Sequence, residues 1–129
     1  MRHNVKTVKL GRTSAHRKAL FRNLLSSLFI HGSMITTLPK AKELKQRADK
    51  LIGWARKGDL NHRRLAAGHV FGSEALQALF DRWGAAFPDR ESGFTRIVHV
   101  GPRHGDAADM ALIEIIGANA VDVEKTDEK

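Results

Sequence analysis

The feature that most constrains this chain is a short β-branched run lodged between amphipathic helices. Ser33 to Leu38 reads SMITTL, and its branched and hydroxylated side chains predict a strand. Two further β-rich runs, Phe94 to Val100 and Met110 to Ile116, follow only after three helical stretches. A strand leaves a row of backbone N–H and C=O groups that must find a partner ladder. The early strand must therefore join a sheet whose other members close late in the chain. The predicted order is α-β-α-α-α-β-β, an α+β arrangement in which helices on one face of a small sheet bury every apolar stripe.

The helices are read from spacing. Thr13 or Ser14 offers an N-cap. Leu20, Phe21, Leu24, Leu25, Leu28 and Phe29 then recur at helical intervals, with Lys18, Arg22 and Ser26 four apart on another face. His31-Gly32 is a stop, since glycine accepts the left-handed conformation that follows a helix. Pro39 suits a first helical position, and Ala41, Leu44, Ala48, Leu51, Ile52 and Ala55 mark a second helix ending near Lys57-Gly58. Asp59 is placed to cap a third helix over about residues 60–69, and Ser73 a fourth carrying Leu76, Leu79, Phe80, Trp83 and Phe87. Trp54, Phe80, Trp83 and Phe87 sit on apolar helix faces and read as core. Pro88 to Gly93 is a turn cluster.

Residues 1–12 lack an apolar period and read as an extended arm; residues 13–116 form one domain; residues 117–129, polar and mixed in charge, read as a disordered tail. The basic start is followed by no apolar core of a signal peptide. Leu20 to Ile30 is broken by Arg22, Asn23, Ser26 and Ser27, so no membrane span is expected. The absence of cysteine excludes a disulfide framework and a thiolate zinc site, and a reducing cytosol is the default compartment.

Charge sets the class of partner. Residues 1–64 hold 16 Lys+Arg against 3 Asp+Glu, a net of +13, while residues 65–129 hold 6 against 11, a net of −5. The first 22 residues carry Arg2, Lys6, Lys9, Arg12, Arg17, Lys18 and Arg22, with His3 and His16 beside them and no acid. Such asymmetry predicts a polyanionic partner on one side, and water or protein on the other. Composition alone leaves RNA, DNA and an anionic membrane open.

The arm and first helix read MRH, then LGRTSAHRKAL, then RNL from Arg22 to Leu24. This run, with ITTLPKAKEL (Ile35 to Leu44), KGDL (Lys57 to Leu60), Arg63-Arg64, SGFTRI (Ser92 to Ile97), GPRHGDAA (Gly101 to Ala108) and MALIE (Met110 to Glu114), resembles the bacterial ribosomal protein family L-seventeen. The matches run in order over about residues 1–116. Family members often carry a second basic residue where this chain has His104, and often tyrosine where it has Phe94. The resemblance implies a two-layer fold with a three-stranded mixed sheet. It implies assembly on 23S ribosomal RNA of the large subunit, near the rim of the nascent-chain exit tunnel. Neighbouring large-subunit ribosomal proteins become partners and translation the process; neither membrane nor small-molecule substrate is implied.

Arginine gives phosphate oxygens bidentate hydrogen bonds and lysine gives them a point charge. The expected RNA contacts are therefore Arg2, His3, Lys6, Lys9, Arg12, His16, Arg17, Lys18 and Arg22 on the arm and first helix, Lys40 and Lys42 on the second, Arg63 and Arg64 on the third, and Arg96 and Arg103 near the late strands. Two rival readings remain. One is a free nucleic-acid binder of histone-like or regulatory type. The other is a small phosphotransfer enzyme, since Arg103-His104-Gly105 resembles the phosphohistidine centre of histidine phosphatases. That family places its motif near the N-terminus of a larger domain, which weighs against catalysis here. Seven histidines invite a metal reading, but no H-E-x-x-H occurs and His62/His69 and His99/His104 lack ligand company, so no metal or other cofactor is expected.

Overall fold

The structure is a computed structural model and describes residues 13–116. The arm, residues 1–12, and the tail, residues 117–129, lie outside the described residues.

Helix α1 spans Ser14–His31. Thr13 caps it, its hydroxyl accepting from the His16 backbone N–H at 3.3 Å. The helix ends where Gly32 takes φ 85° and donates to the Leu28 carbonyl. Strand β1, Ser33–Thr37, follows at once. Helix α2, Leu38–Lys57, carries Pro39 in its opening turn and stops at Gly58. Helix α3, Leu60–Ala67, is shorter than expected, because Gly68 and His69 close it with tighter i→i−3 bonds to Leu65 and Ala66.

The last helix, α4, begins with Gly72–Gln77, passes through a π-type stretch at Ala78–Trp83 and ends with Gly84–Ala86. Ser73 does not cap it. Phe71 occupies the cap position and donates its N–H to the Ser26 hydroxyl on α1 at 2.8 Å, so docking between helices sets the start. Strands β2, Thr95–Pro102, and β3, Asp109–Ile115, complete the chain.

The sheet order is β1-β3-β2. Both pairings are antiparallel, so the sheet is antiparallel throughout rather than mixed. β1 does run in the same direction as β2. A parallel ladder would need those two strands side by side, and the returning arm of the hairpin, β3, separates them.

One face of the sheet lies under the helices. Met34 opposes Ile113, which opposes Ile97, and Ala111, Ile113 and Ile115 are buried below α2. Above them Phe21, Phe29, Leu44, Ile52, Leu79 and Trp83 fill the core. Trp83 is fully buried, and its indole N–H donates to the Phe29 carbonyl on α1 at 2.7 Å. At Gly84 a β-carbon would meet the Ala55 carbonyl oxygen at 2.7 Å; the missing side chain lets α4 lie directly on α2. The other sheet face is open. Ile35, Leu112 and Val98 form a row across all three strands, with Ile35 59% and Val98 45% exposed.

Candidate nucleic-acid interface

The expected contacts separate into three groups. Arg2, His3, Lys6, Lys9 and Arg12 fall outside the described residues. A second group is displayed: His16 and Lys18 on α1, Lys42 on α2 and Arg64 on α3 are exposed, while Lys40 and Arg17 are half-buried. Arg17 donates to the Ser14 hydroxyl at 3.2 Å. Lys18, Lys40, Lys42 and Arg64 make no ion pair among the described residues. A solvated lysine without a fixed partner exchanges counterions for phosphate at little internal cost.

The third group is engaged inside the fold. Arg22 donates to the Val70 carbonyl at 3.3 Å, and its guanidinium carbon sits 4.0 Å from the centroid of the Phe71 ring. Ser26, one turn on, is buried and donates to the Arg22 carbonyl at 2.7 Å. On the Lys18-Arg22-Ser26 face only Lys18 is therefore disengaged from the fold; beyond it lies the seam that receives the α3–α4 link. Arg63 lies 5.1 Å from the Phe80 ring. Arg96 pairs with Glu114, its neighbour across the β2–β3 ladder. Arg103 is held bidentately by Asp106 through Nε at 3.0 Å and through Nη2.

That grip on Arg103 bears on the Arg-His-Gly turn. The Arg103 guanidinium bond and the Ala108 N–H hold the Asp106 carboxyl down to about 2, and the same bond pushes Arg103 above its ordinary value. The phosphate-holding arginine that a phosphohistidine centre needs is committed to a carboxylate three residues away. The N-terminus of α3 is likewise filled. Asp59 accepts the His62 N–H at 2.9 Å and contacts the His62 ring, and that backbone bond foremost lowers the Asp59 pKa. Among the described residues no cluster of three His, Asp or Glu is placed to hold a metal ion. No described helix is long and apolar enough to cross a membrane.

Packing also assembles cations that sequence left apart. Arg47 and Lys50 on α2 face Lys18 and Arg22 on α1, with His69 from the α3–α4 link between them. Arg47 lies over the Phe21 ring at 4.3 Å and pairs with Glu43 at 3.4 Å. Partial burial first, then Lys50, Arg47 and Arg22, push the His69 pKa below the usual histidine value. Helical spacing gave no sign that residues 18, 47 and 69 meet.

Not every α2 cation faces outward. Lys45 donates to the Thr95 carbonyl at 2.8 Å and pairs with Asp49 at 3.2 Å. Asp49 in turn accepts the Phe94 N–H at 3.2 Å and the Thr95 hydroxyl at 2.9 Å, so this pair clasps the start of β2 to the helix.

A basic surface over an α+β core is common to many nucleic-acid binders. The family model for ribosomal protein L17 matches residues 20–116. The chain belongs to that family.

Curated relatives agree. The protein of Anaeromyxobacter sp. (strain Fw109-5) is 47% identical over 129 residues, covering 100% of this chain and 77% of its own. That of Desulfotalea psychrophila is 47% identical over 117 residues, 91% of each chain. That of Halothermothrix orenii is 48% identical over 108 residues, 84% of this chain and 95% of its own. Each is named large ribosomal subunit protein bL17. The L17 family is one of structural ribosomal proteins, and the chain is not an enzyme.

Proposed function

We propose that this chain is a structural constituent of the large ribosomal subunit in the bacterial cytoplasm, gripping 23S ribosomal RNA through its arm, α1 and the outward lysines of α2. The observation that carries this reading is the charge division within a member of the L17 family: a net of +13 over residues 1–64 against −5 over residues 65–129. RNA is bound here by shape and phosphate rather than by base sequence. Arg96 and Arg103 join only by leaving their carboxylate partners, and Arg22 only by leaving Val70, so these three rank below Lys18, Lys40, Lys42 and Arg64 as contacts.

The acidic balance of residues 65–129 and the aliphatic row on the open sheet face suit a neighbouring large-subunit protein better than phosphate. The family resemblance points to the rim of the exit tunnel as the setting.

Salt titration of the full chain on 23S rRNA fragments tests the grip. About 6 to 10 phosphate contacts give a fall in affinity on the order of 10³ to 10⁵ between roughly 50 and 200 mM salt. Removing residues 1–12 should lessen that slope by about 3, for the four Lys and Arg lost, and leave the domain folded. A flat salt response ends the electrostatic account. Sedimentation of the chain with chromosomal DNA, and not with the large subunit, favours a free nucleic-acid binder.

A further inference from the structure

Two cavities open side by side between α1, α2 and the α3–α4 link. One, of about 310 Å³, has Glu43, Arg47, Lys50, Trp54 and His69 in its lining. The other, of about 450 Å³, has Lys18, Arg22, Arg47 and His69. They share Leu25, Arg47 and His69, and so make one trough.

The trough gathers four permanent cations against one acid, Glu43, which is already paired with Arg47. The Nε of Arg22 is buried and has no hydrogen-bond partner among the described residues. Like charges brought together repel, which after partial burial is the second cause of the lowered His69 pKa; an entering anion relieves that repulsion.

One end of the trough is aromatic. Trp54 is half-buried, with the His69 ring 5.7 Å away in an edge arrangement and the His62 ring at 6.2 Å. The Lys50 ammonium rests 5.1 Å from the indole centroid on an exposed, flexible stem. A base can take that place while the ammonium moves to the adjoining phosphate. Several cations gathered beside an aromatic wall match a single-stranded nucleic acid, whose phosphates alternate with stackable bases. A run of carboxylates would use the cations and leave the indole idle.

We infer that this trough receives a single-stranded segment of RNA, its phosphates against Lys18, Arg47 and Lys50 and one unpaired base stacked on Trp54. The inference rests on the rRNA-binding reading and adds to it a site away from the arm.

The chain holds two tryptophans, and the second is an internal reference, since Trp83 is fully buried and bonded to Phe29. Full-length ¹⁵N-labelled protein titrated with a hexamer of adenylate RNA should show the Trp54 indole N–H resonance shift while that of Trp83 stays. The double variant Lys18→Gln, Lys50→Gln should weaken hexamer binding about tenfold and lower the salt slope on 23S rRNA by about 1.4, for two single-strand phosphate contacts. A Trp54 signal unmoved by the hexamer, in protein that still binds rRNA with a steep salt slope, overturns the trough and leaves the rRNA reading standing. Loss of rRNA binding by the unmodified chain overturns both. An oligoglutamate hexamer that shifts Trp54 equally overturns the RNA assignment in favour of an acidic peptide.

Discussion

The helical half and the hairpin half treat their cations in opposite ways. On β2 and the β2–β3 loop both arginines end on a carboxylate of the same hairpin: Arg96 on Glu114 and Arg103 on Asp106. On α1, α2 and α3, Lys18, Lys40, Lys42 and Arg64 are left without an ion-pair partner among the described residues. Where the helical half does tie down a cation, Arg22 and Arg63 use an aromatic ring or a backbone carbonyl, while Arg47 and Lys45 also reach a carboxylate one turn away on α2. A ring or a carbonyl orients a cation without neutralising it. The hairpin half thus arranges its charge for itself, and the helical half keeps Lys18, Lys40, Lys42 and Arg64 available to another molecule. Net charge by segment points in the same direction, but the pairing shows which individual cations are available.

The largest expected effect separates stability from binding. Trp83→Ala should cost about 3–5 kcal/mol in chemical denaturation, because it empties a fully buried site and frees the Phe29 carbonyl. Where the variant remains folded, the salt slope on rRNA should not change, since Trp83 carries no charge. A changed slope would mean that core and grip are not separable.

A smaller effect tests the comparison directly. Lys40→Ala with Lys42→Ala should lower the salt slope on rRNA by about 1.4, whereas Arg96→Ala with Arg103→Ala should leave it nearly unchanged. Equal effects from the two pairs would erase the distinction between free and paired cations.

The smallest is a titration. Asp106 is ionised well below the ordinary aspartate range, at about 2, by its bond to Arg103. A lowered carboxyl pKa means that the pair's contribution is present above the unfolded-state value and is lost as pH falls through the folded one. Carboxyl NMR titration should place Asp106 near 2, and Arg103→Ala should raise it toward the usual 3.8. A value already near 3.8 in the unmodified chain would show Arg103 free in solution and available to RNA.

Much of the architecture was legible in the chain. The caps at Thr13 and Asp59 and the stop at Gly32 depend on nearest neighbours, and each stands where local chemistry puts it. The apolar positions from Phe21 to Phe29 and from Ala41 to Ala55 needed only a 3.6-residue period. Ser73 misled because its capping chemistry is local, whereas the start of α4 is set by a hydrogen bond to Ser26, 45 positions away in sequence. The direction of strand pairing escaped for a related reason: strand propensity says that Ser33 to Thr37 pairs, and nothing in that run says with which neighbour.

The basic surface shows the same division. Charge counts along the chain determined its sign, its concentration in the first half and the class of partner it attracts, because Coulomb attraction depends on charge and needs no register. Tertiary structure alone decided which cations stay free. Arg22 was lost to Val70 and Phe71, Arg96 to Glu114 and Arg103 to Asp106, while Arg47, Lys50, Trp54 and His69 were brought to one trough. A hydrogen bond or an aromatic contact acts over a few ångströms, and only packing determines which residues come that close.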